Sequence, residues 1–162
     1  MPTGVTVLTT RAGDRDEVMT ANAVMSVSLD PVLLAISVTA PSRWLSALTE
    51  HGAFGVSVLA EHHEQLARWA ASPGRHEIPE PLAGWDIARS SETDCALLTD
   101  ATAVFDCVVD AVHGAGDHAL VVGKVIGVCS ADLARPLVFH SSRYTRVGDA
   151  LPAEVTASSV AG

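Results

Sequence analysis

The sequence predicts a mainly β protein, a closed antiparallel barrel with two or more short helical excursions. Three observations carry that expectation. Roughly seven segments run as β-branched stretches or alternate apolar and polar residues at period two. Only two segments repeat at helical spacing, and nothing alternates strand with helix as a parallel sheet requires.

Residues 3–10, TGVTVLTT, are rich in β-branched side chains with Val5 and Val7 on one face, which predicts a strand. Residues 11–16, RAGDRD, are polar and contain Gly13, so they are expected to form a hairpin turn. Residues 19–31, MTANAVMSVSLDP, read as one strand with an irregular start. Ser26 and Ser28 alternate with Val27 and Leu29, and Asp30-Pro31 closes the run. The Thr20-Ala21-Asn22 opening breaks the alternation. Small residues there admit a ligand close to the backbone, and Thr and Asn offer donors and acceptors. Residues 32–39, VLLAISVT, are almost continuously apolar, as a strand buried on both faces would be. These three strands are expected to form an antiparallel meander.

Ser42 then stands as an N-cap, Trp44, Leu45 and Leu48 follow at helical spacing, and Gly52 stops the helix. Residues 54–59, FGVSVL, predict a strand, and residues 61–70 a second helix with Leu66, Trp69 and Ala70 on its apolar stripe. Residues 72–84 hold three prolines and two glycines without periodicity, a long loop of the kind that often serves as a functional lid. A short strand at 85–89, a hairpin of 101–112 and 119–129 around a turn at 113–118, and a last strand at 136–144 complete the pattern. Residues 1–148 form the expected domain, and 149–162 a tail expected to fray.

The chain of 162 residues is 48% apolar and only 18% charged. So few charges on so apolar a chain favour a second copy covering part of the surface, hence a homodimer. A net charge of −9 argues against nucleic acid, whose phosphates need a basic footprint. No apolar run approaches the ~20 residues of a membrane span, and the N-terminus lacks a signal-peptide pattern, so no membrane and a cytoplasmic location are expected. Cys95, Cys107 and Cys129 form no C-x-x-C pair and are expected to be small buried hydrophobes, without a metal.

Several motifs fail on context. Residues 114–119, GAGDHA, match G-x-G-x-x-A on paper, but a β-branched run follows where a dinucleotide site needs a helix. His62-His63-Glu64 does not fit H-E-x-x-H, and no G-x-S-x-G elbow occurs. Three features survive: Thr20-Ala21-Asn22, Ser42-Arg43 at a helix start suited to phosphate, and Asp117-His118 in a turn.

TGVTVLTT, MTANAVMSVSLDP, Ser42-Arg43, FGVSVL, Gly116-Asp117-His118 and PLVFHSSRY occur in an order that resembles the flavin reductase-like proteins. These are FMN-binding split-barrel enzymes that supply reduced flavin to two-component monooxygenases. The resemblance implies an NAD(P)H:flavin oxidoreductase that uses FMN or FAD, with NADH or NADPH as hydride donor and a monooxygenase partner. It implies that Thr20, Ala21 and Asn22 line the isoalloxazine ring, and that Ser37, Val38 and Thr39 run past the ribityl chain. Ser42 and Arg43 would contact the phosphate, and His118 would lie beside the nicotinamide as the catalytic residue. Arg143 and Tyr144 would fall near the flavin pocket. A flavin carries its own redox machinery, so neither a triad nor a metal is required.

Three departures from the family pattern stand out. The helix usual before the first strand is replaced by an almost immediate start at TGVTVLTT, and Trp44 replaces the hydroxyl residue of S-R-T. The 72–84 loop lacks a Lys-Phe pair, with Arg75 as the stand-in for the lysine. Two other readings follow from these departures: a split-barrel protein that binds flavin or another planar ligand without turnover, or one recruited to a different reaction.

Overall fold

The computed structural model describes residues 1–131 and 135–148; the tail beyond Gly148 lies outside them. In chain order the strands are β1 (Thr3–Gly4), β2 (Thr6–Ala12), β3 (Arg15–Ala21), β4 (Val24–Leu29), β5 (Val32–Thr39), β6 (Ala53–Val58), β7 (Ile87–Arg89), β8 (Ala96–Leu98), β9 (Ala103–Ala115), β10 (His118–Ser130), β11 (Leu137–His140) and β12 (Arg143–Arg146). Helix α1 (Arg43–His51) lies between β5 and β6, and α2 (Glu64–Ala70) follows a 3-10 turn at Glu61–His63. None of these helices is long and apolar enough to cross a membrane.

The expectation of a closed barrel is corrected. Seven strands form one antiparallel sheet in the order β3-β2-β6-β9-β10-β5-β4, and its ladder does not close. Nor do the strands expected at 3–10, 19–31 and 32–39 form one meander, because 19–31 divides between β3 and β4, which occupy opposite edges of that sheet. The stretch read as one strand at 19–31 is broken between Ala21 and Val24, and the chain crosses from edge to edge over Asn22 and Ala23. A trans peptide spans 3.8 Å between α-carbons, so three peptide steps reach at most about 11 Å. The sheet must therefore curl until its edges nearly meet. Both ends of the crossing are pinned: Thr6 Oγ1 donates to Ala21 O at 2.8 Å, and Ser37 N donates to Ala23 O at 3.0 Å.

Other boundaries sharpen for local reasons. The two hairpin turns reduce to Gly13-Asp14 and Gly116-Asp117, with Gly13 and Gly116 at φ of 64° and 66°. Residues 136–144, expected as one strand, contain a hairpin. Ser141 and Ser142, at φ of 49° and 60°, turn the chain between β11 and β12, which pair Phe139 with Tyr144. Two serines occupy a turn that usually selects Asn-Gly, so the residue types give no signal. The aperiodic 72–84 segment holds a 3-10 turn at Pro73–Glu77.

Helix α1 begins as expected. Ser42 Oγ accepts from Leu45 N at 3.2 Å, and Gly52 closes the helix at φ 77° with its N–H bonded to Leu48 O. Trp44 packs in the core with Leu8, Ile36, Phe54 and Val121, so its departure from S-R-T serves packing. Cys95 and Cys107 are buried, and burial pushes their thiols up to about 11 and about 12. Cys129 is exposed, which corrects the expectation for that residue; it sits near the end of β10, paired with Val104 of β9.

Gly55 is required by packing. A Cβ there would meet Thr9 Oγ1 at 2.6 Å, Leu97 Cδ2 at 2.7 Å and the backbone oxygen of Ala96 at 3.0 Å. Gly55→Ala is expected to lower stability by about 1–3 kcal/mol, the usual range for overpacking; an unchanged urea midpoint would contradict this packing.

His63 is fully buried, accepts the Ala60 N–H at Nδ1 (3.1 Å) and donates from Nε2 to Asp100 Oδ1 (3.0 Å). Burial holds its pKa below the ordinary 6.5, against the opposing pull of Asp100. The unfolded chain therefore takes up a proton before the folded one does, so this contribution is complete above 6.5 and declines as pH falls below it. The urea midpoint should drop between about pH 7 and pH 5, with a shallower drop in His63→Gln; equal slopes would contradict the assignment.

Candidate functional site

The curled edges leave a cleft of about 180 Å³ lined by Val5, Thr20, Ala21, Asn22, Ala71, Phe139 and Tyr144. Its floor is the end of β3. Thr20 Oγ1 donates to Ala67 O at 2.7 Å, which fastens that end to α2. Its wall is the β11–β12 hairpin, where Phe139 and Tyr144 meet edge to face at 5.3 Å. The Arg68 guanidinium lies 4.8 Å from the Tyr144 ring centre. Burial pushes the Tyr144 phenol above its ordinary value, so it stays protonated and able to donate. A slot with small residues on one side, an aromatic edge on another and few polar groups suits a planar heteroaromatic ligand.

Thr20, Ala21, Asn22 and Tyr144 thus share one cleft. Ser37 is tied to the Asn22-Ala23 crossing by its N–H. Val38 lies in the core at 1% exposure and pairs with Ala119 in the β5–β10 ladder, so it has little surface to offer a ligand, while Thr39 is exposed. His118 opens β10 and pairs directly with Thr39, and Ala40 N donates to Asp117 O at 2.9 Å. These bonds carry the chain from the crossing past His118 to the N-terminus of α1. Arg143 is exposed; successive strand residues face opposite ways, so with Tyr144 turned to the cleft Arg143 faces away from it.

His118 is 41% exposed and donates from Nδ1 to Asp117 Oδ1 at 2.7 Å. That bond holds the Asp117 carboxyl below its ordinary value. With the proton on Nδ1, a neutral His118 keeps Nε2 as an acceptor. Arg43, the first residue of α1, donates from Nε to Glu17 Oε1 at 2.8 Å. Ser42 Oγ is engaged as the cap, so an anion at this helix start would meet backbone N–H groups and the Arg43 guanidinium. Arg75 is turned inward, donating to Val18 O at 3.0 Å and Ser72 O at 2.8 Å.

Sequence reasoning missed Val5, Ala71, Phe139 and Glu17. The hairpin that brings Phe139 to Tyr144 carries no turn signature, and a glutamate in a strand ordinarily reads as solvated. A larger cavity, about 460 Å³, lies at the other end of β3, lined by Arg11, Asp16, Arg89 and Trp85 among others. Its cations are already committed. Arg89 and Arg11 both bond Asp16, at 2.9 and 3.0 Å, and although burial raises the Asp16 pKa, these bonds outweigh it and bring it below the ordinary value.

His62 and His63 both approach Asp100, each Nε2 at 3.0 Å from a carboxylate oxygen, in a grouping with metal-ligand spacing. The Ala60 N–H bond to Nδ1 requires the proton on His63 Nε2, so that nitrogen has no lone pair for a metal. The group reads as a hydrogen-bonded structural node.

Residues 1–148 match the family described as Flavin reductase like domain. The NADH-dependent FMN reductase AsuE2 of Streptomyces nodosus subsp. asukaensis is 35% identical over 153 residues, covering 92% of this chain and 80% of its own. The reductase component of 4-hydroxyphenylacetate 3-monooxygenase from Thermus thermophilus is 34% identical, with 89% and 88% covered. Among solved structures, the Streptomyces globisporus NADH:FAD oxidoreductase SgcE6 superposes with a TM-score of 0.84 at 32% identity, over 92% of this chain and 88% of its own. That protein is also known in complex with NAD and FAD fragments. The chain belongs to the flavin reductase-like family.

Proposed function

We propose that this chain is an NADH:flavin oxidoreductase that supplies reduced FMN or FAD to a partner monooxygenase. The observation that carries the reading is the convergence of Thr20-Ala21-Asn22 and Tyr144 on one cleft, with a backbone path from there to His118 and Arg43. Relatives described as NADH-dependent FMN and FAD reductases, and as monooxygenase reductase components, support it. The same reading keeps the chain in the cytoplasm, where NADH is at hand.

A flavin held here would supply the redox chemistry, as the acceptor of hydride from a nicotinamide. The protein's own residues bind and orient. Ala21 lets a ring approach β3, the Asn22 amide offers donors and an acceptor to its polar edge, and Phe139 and Tyr144 shield it from water. The α1 N-terminus and Arg43 supply positive potential for a phosphate. His118 Nε2 would accept from the carboxamide N–H of a nicotinamide, an orienting role, since the hydride step needs no proton from this side.

A second copy completes this reading. Met25, Val27 and Leu29 on β4, Val112 on β9, and Ile126 and Val128 on β10 are exposed. These strands belong to one run of the sheet, β9-β10-β5-β4. Apolar exposure of that extent on neighbouring strands supports a homodimer through this half of the sheet. The chain should sediment as a dimer at micromolar concentration and dissociate when Ile126 and Val128 are both changed to Asp; a monomeric wild type would refute it.

The activity is tested by NADH oxidation with and without added FMN. Flavin-dependent oxidation is expected, and a yellow protein inert to NADH would favour a binding role without turnover. His118→Ala should slow single-turnover flavin reduction by roughly tenfold or more, the scale of a lost orienting contact, with FMN affinity within a few-fold. An unchanged reduction rate would make His118 a turn residue only.

A further inference from the structure

Glu17 lies in the middle of β3 and is 1% exposed. Taking a carboxylate out of water is costly unless it is paired, and its pairing is specific. Arg43 Nε donates to Oε1 at 2.8 Å, and His76 Nδ1 donates to Oε2 at 3.2 Å. Arg15 Nε stands 4.0 Å from Oε1. The partners come from separate segments: the first turn of α1, the 3-10 turn Pro73–Glu77, and the start of β3 itself. Two further bonds bind the 3-10 turn to β3, Arg75 Nε to Val18 O at 3.0 Å and Arg15 Nη2 to His76 O at 2.7 Å.

Arg43 is 54% exposed, yet its Nε is directed inward onto this buried carboxylate. A guanidinium is planar, so a bond at Nε fixes the plane in which the terminal nitrogens lie. An exposed arginine would otherwise lose rotamer freedom on capturing an anion. Glu17 cannot itself bind a phosphate, having the same charge. It acts through Arg43.

We propose that Glu17 is a positioning residue for flavin phosphate: it pre-orients the Arg43 guanidinium and, through His76, locks the Pro73–Glu77 turn beside it. The proposal rests on the reading of Arg43 as the phosphate contact.

The test is direct binding of FMN and riboflavin, which differ only in the phosphate, followed by quenching of flavin fluorescence. Arg43→Ala should reduce the preference for FMN by about tenfold or more, the usual scale for a bond to a charged group. Glu17→Leu should reduce it by roughly 3–10-fold, the scale of re-ordering one long side chain, with riboflavin affinity unchanged. Adding Glu17→Leu to Arg43→Ala should cost nothing more. Glu17→Gln, which keeps an acceptor for Arg43 Nε, should restore most of the preference. Arg43→Lys leaves Glu17 in place and does not disturb the core; a single ammonium cannot serve carboxylate and phosphate in one plane, so the preference should fall there too. Equal losses for FMN and riboflavin in Glu17→Leu, or a full FMN preference in Arg43→Lys, would overturn the proposal. A preference lost in Arg43→Ala but kept in Glu17→Leu would overturn it while leaving the phosphate contact standing. A preference unchanged in Arg43→Ala would remove both.

Discussion

The two-residue crossing at Asn22 and Ala23 is the constraint on which the rest of the molecule depends. It joins strands at opposite edges of one sheet, so the sheet must curl although no ladder closes it. Hydrogen bonds to Ala21 O and from Ser37 N hold the crossing from both sides. With backbone satisfied on either flank, the small and polar side chains of Thr20, Ala21 and Asn22 are left to form the floor of a cleft. Core packing supports the same geometry. Leu8, Ile36 and Val121 come from β2, β5 and β10 and meet Trp44 from α1, which seats α1 where its first turn reaches Glu17 on β3.

Electrostatics follows from that seating. The chain carries net charge −9, a poor general background for a phosphorylated ligand. In the proposed reading, the positive potential that a phosphate needs is local, built from one helix start and one arginine, and it depends on geometry more than on composition. Arginines elsewhere illustrate the contrast. Arg11 and Arg89 are consumed by Asp16, and Arg75 by backbone carbonyls. Arg43 combines an anchored Nε with a half-exposed side chain.

Much of this was readable from residues alone, where local chemistry and final structure agree. Ser42 and Gly52 delimit α1 through a cap and a left-handed closure, and the β9–β10 hairpin turns at a glycine. What was not readable came from long-range or silent features. The run MTANAVMSVSL breaks its alternation at Thr20-Ala21-Asn22, but nothing local says that the parts on either side lie at opposite sheet edges. β8 is too short to show a period. The β11–β12 hairpin turns on two serines, which hid Phe139 as the partner of Tyr144. Of the residues lining the cleft, the sequence singled out Thr20, Ala21, Asn22 and Tyr144 but not Val5, Ala71 or Phe139, nor the buried Glu17 beside Arg43.

The most direct measurement is a crystal structure of the protein with FMN. Electron density for the isoalloxazine ring is expected between Thr20-Ala21-Asn22 and the Phe139–Tyr144 wall, with the phosphate at the first turn of α1 against Arg43. A ring seated instead in the larger cavity beside Arg11, Asp16 and Arg89, or a phosphate held away from Arg43, would contradict that assignment.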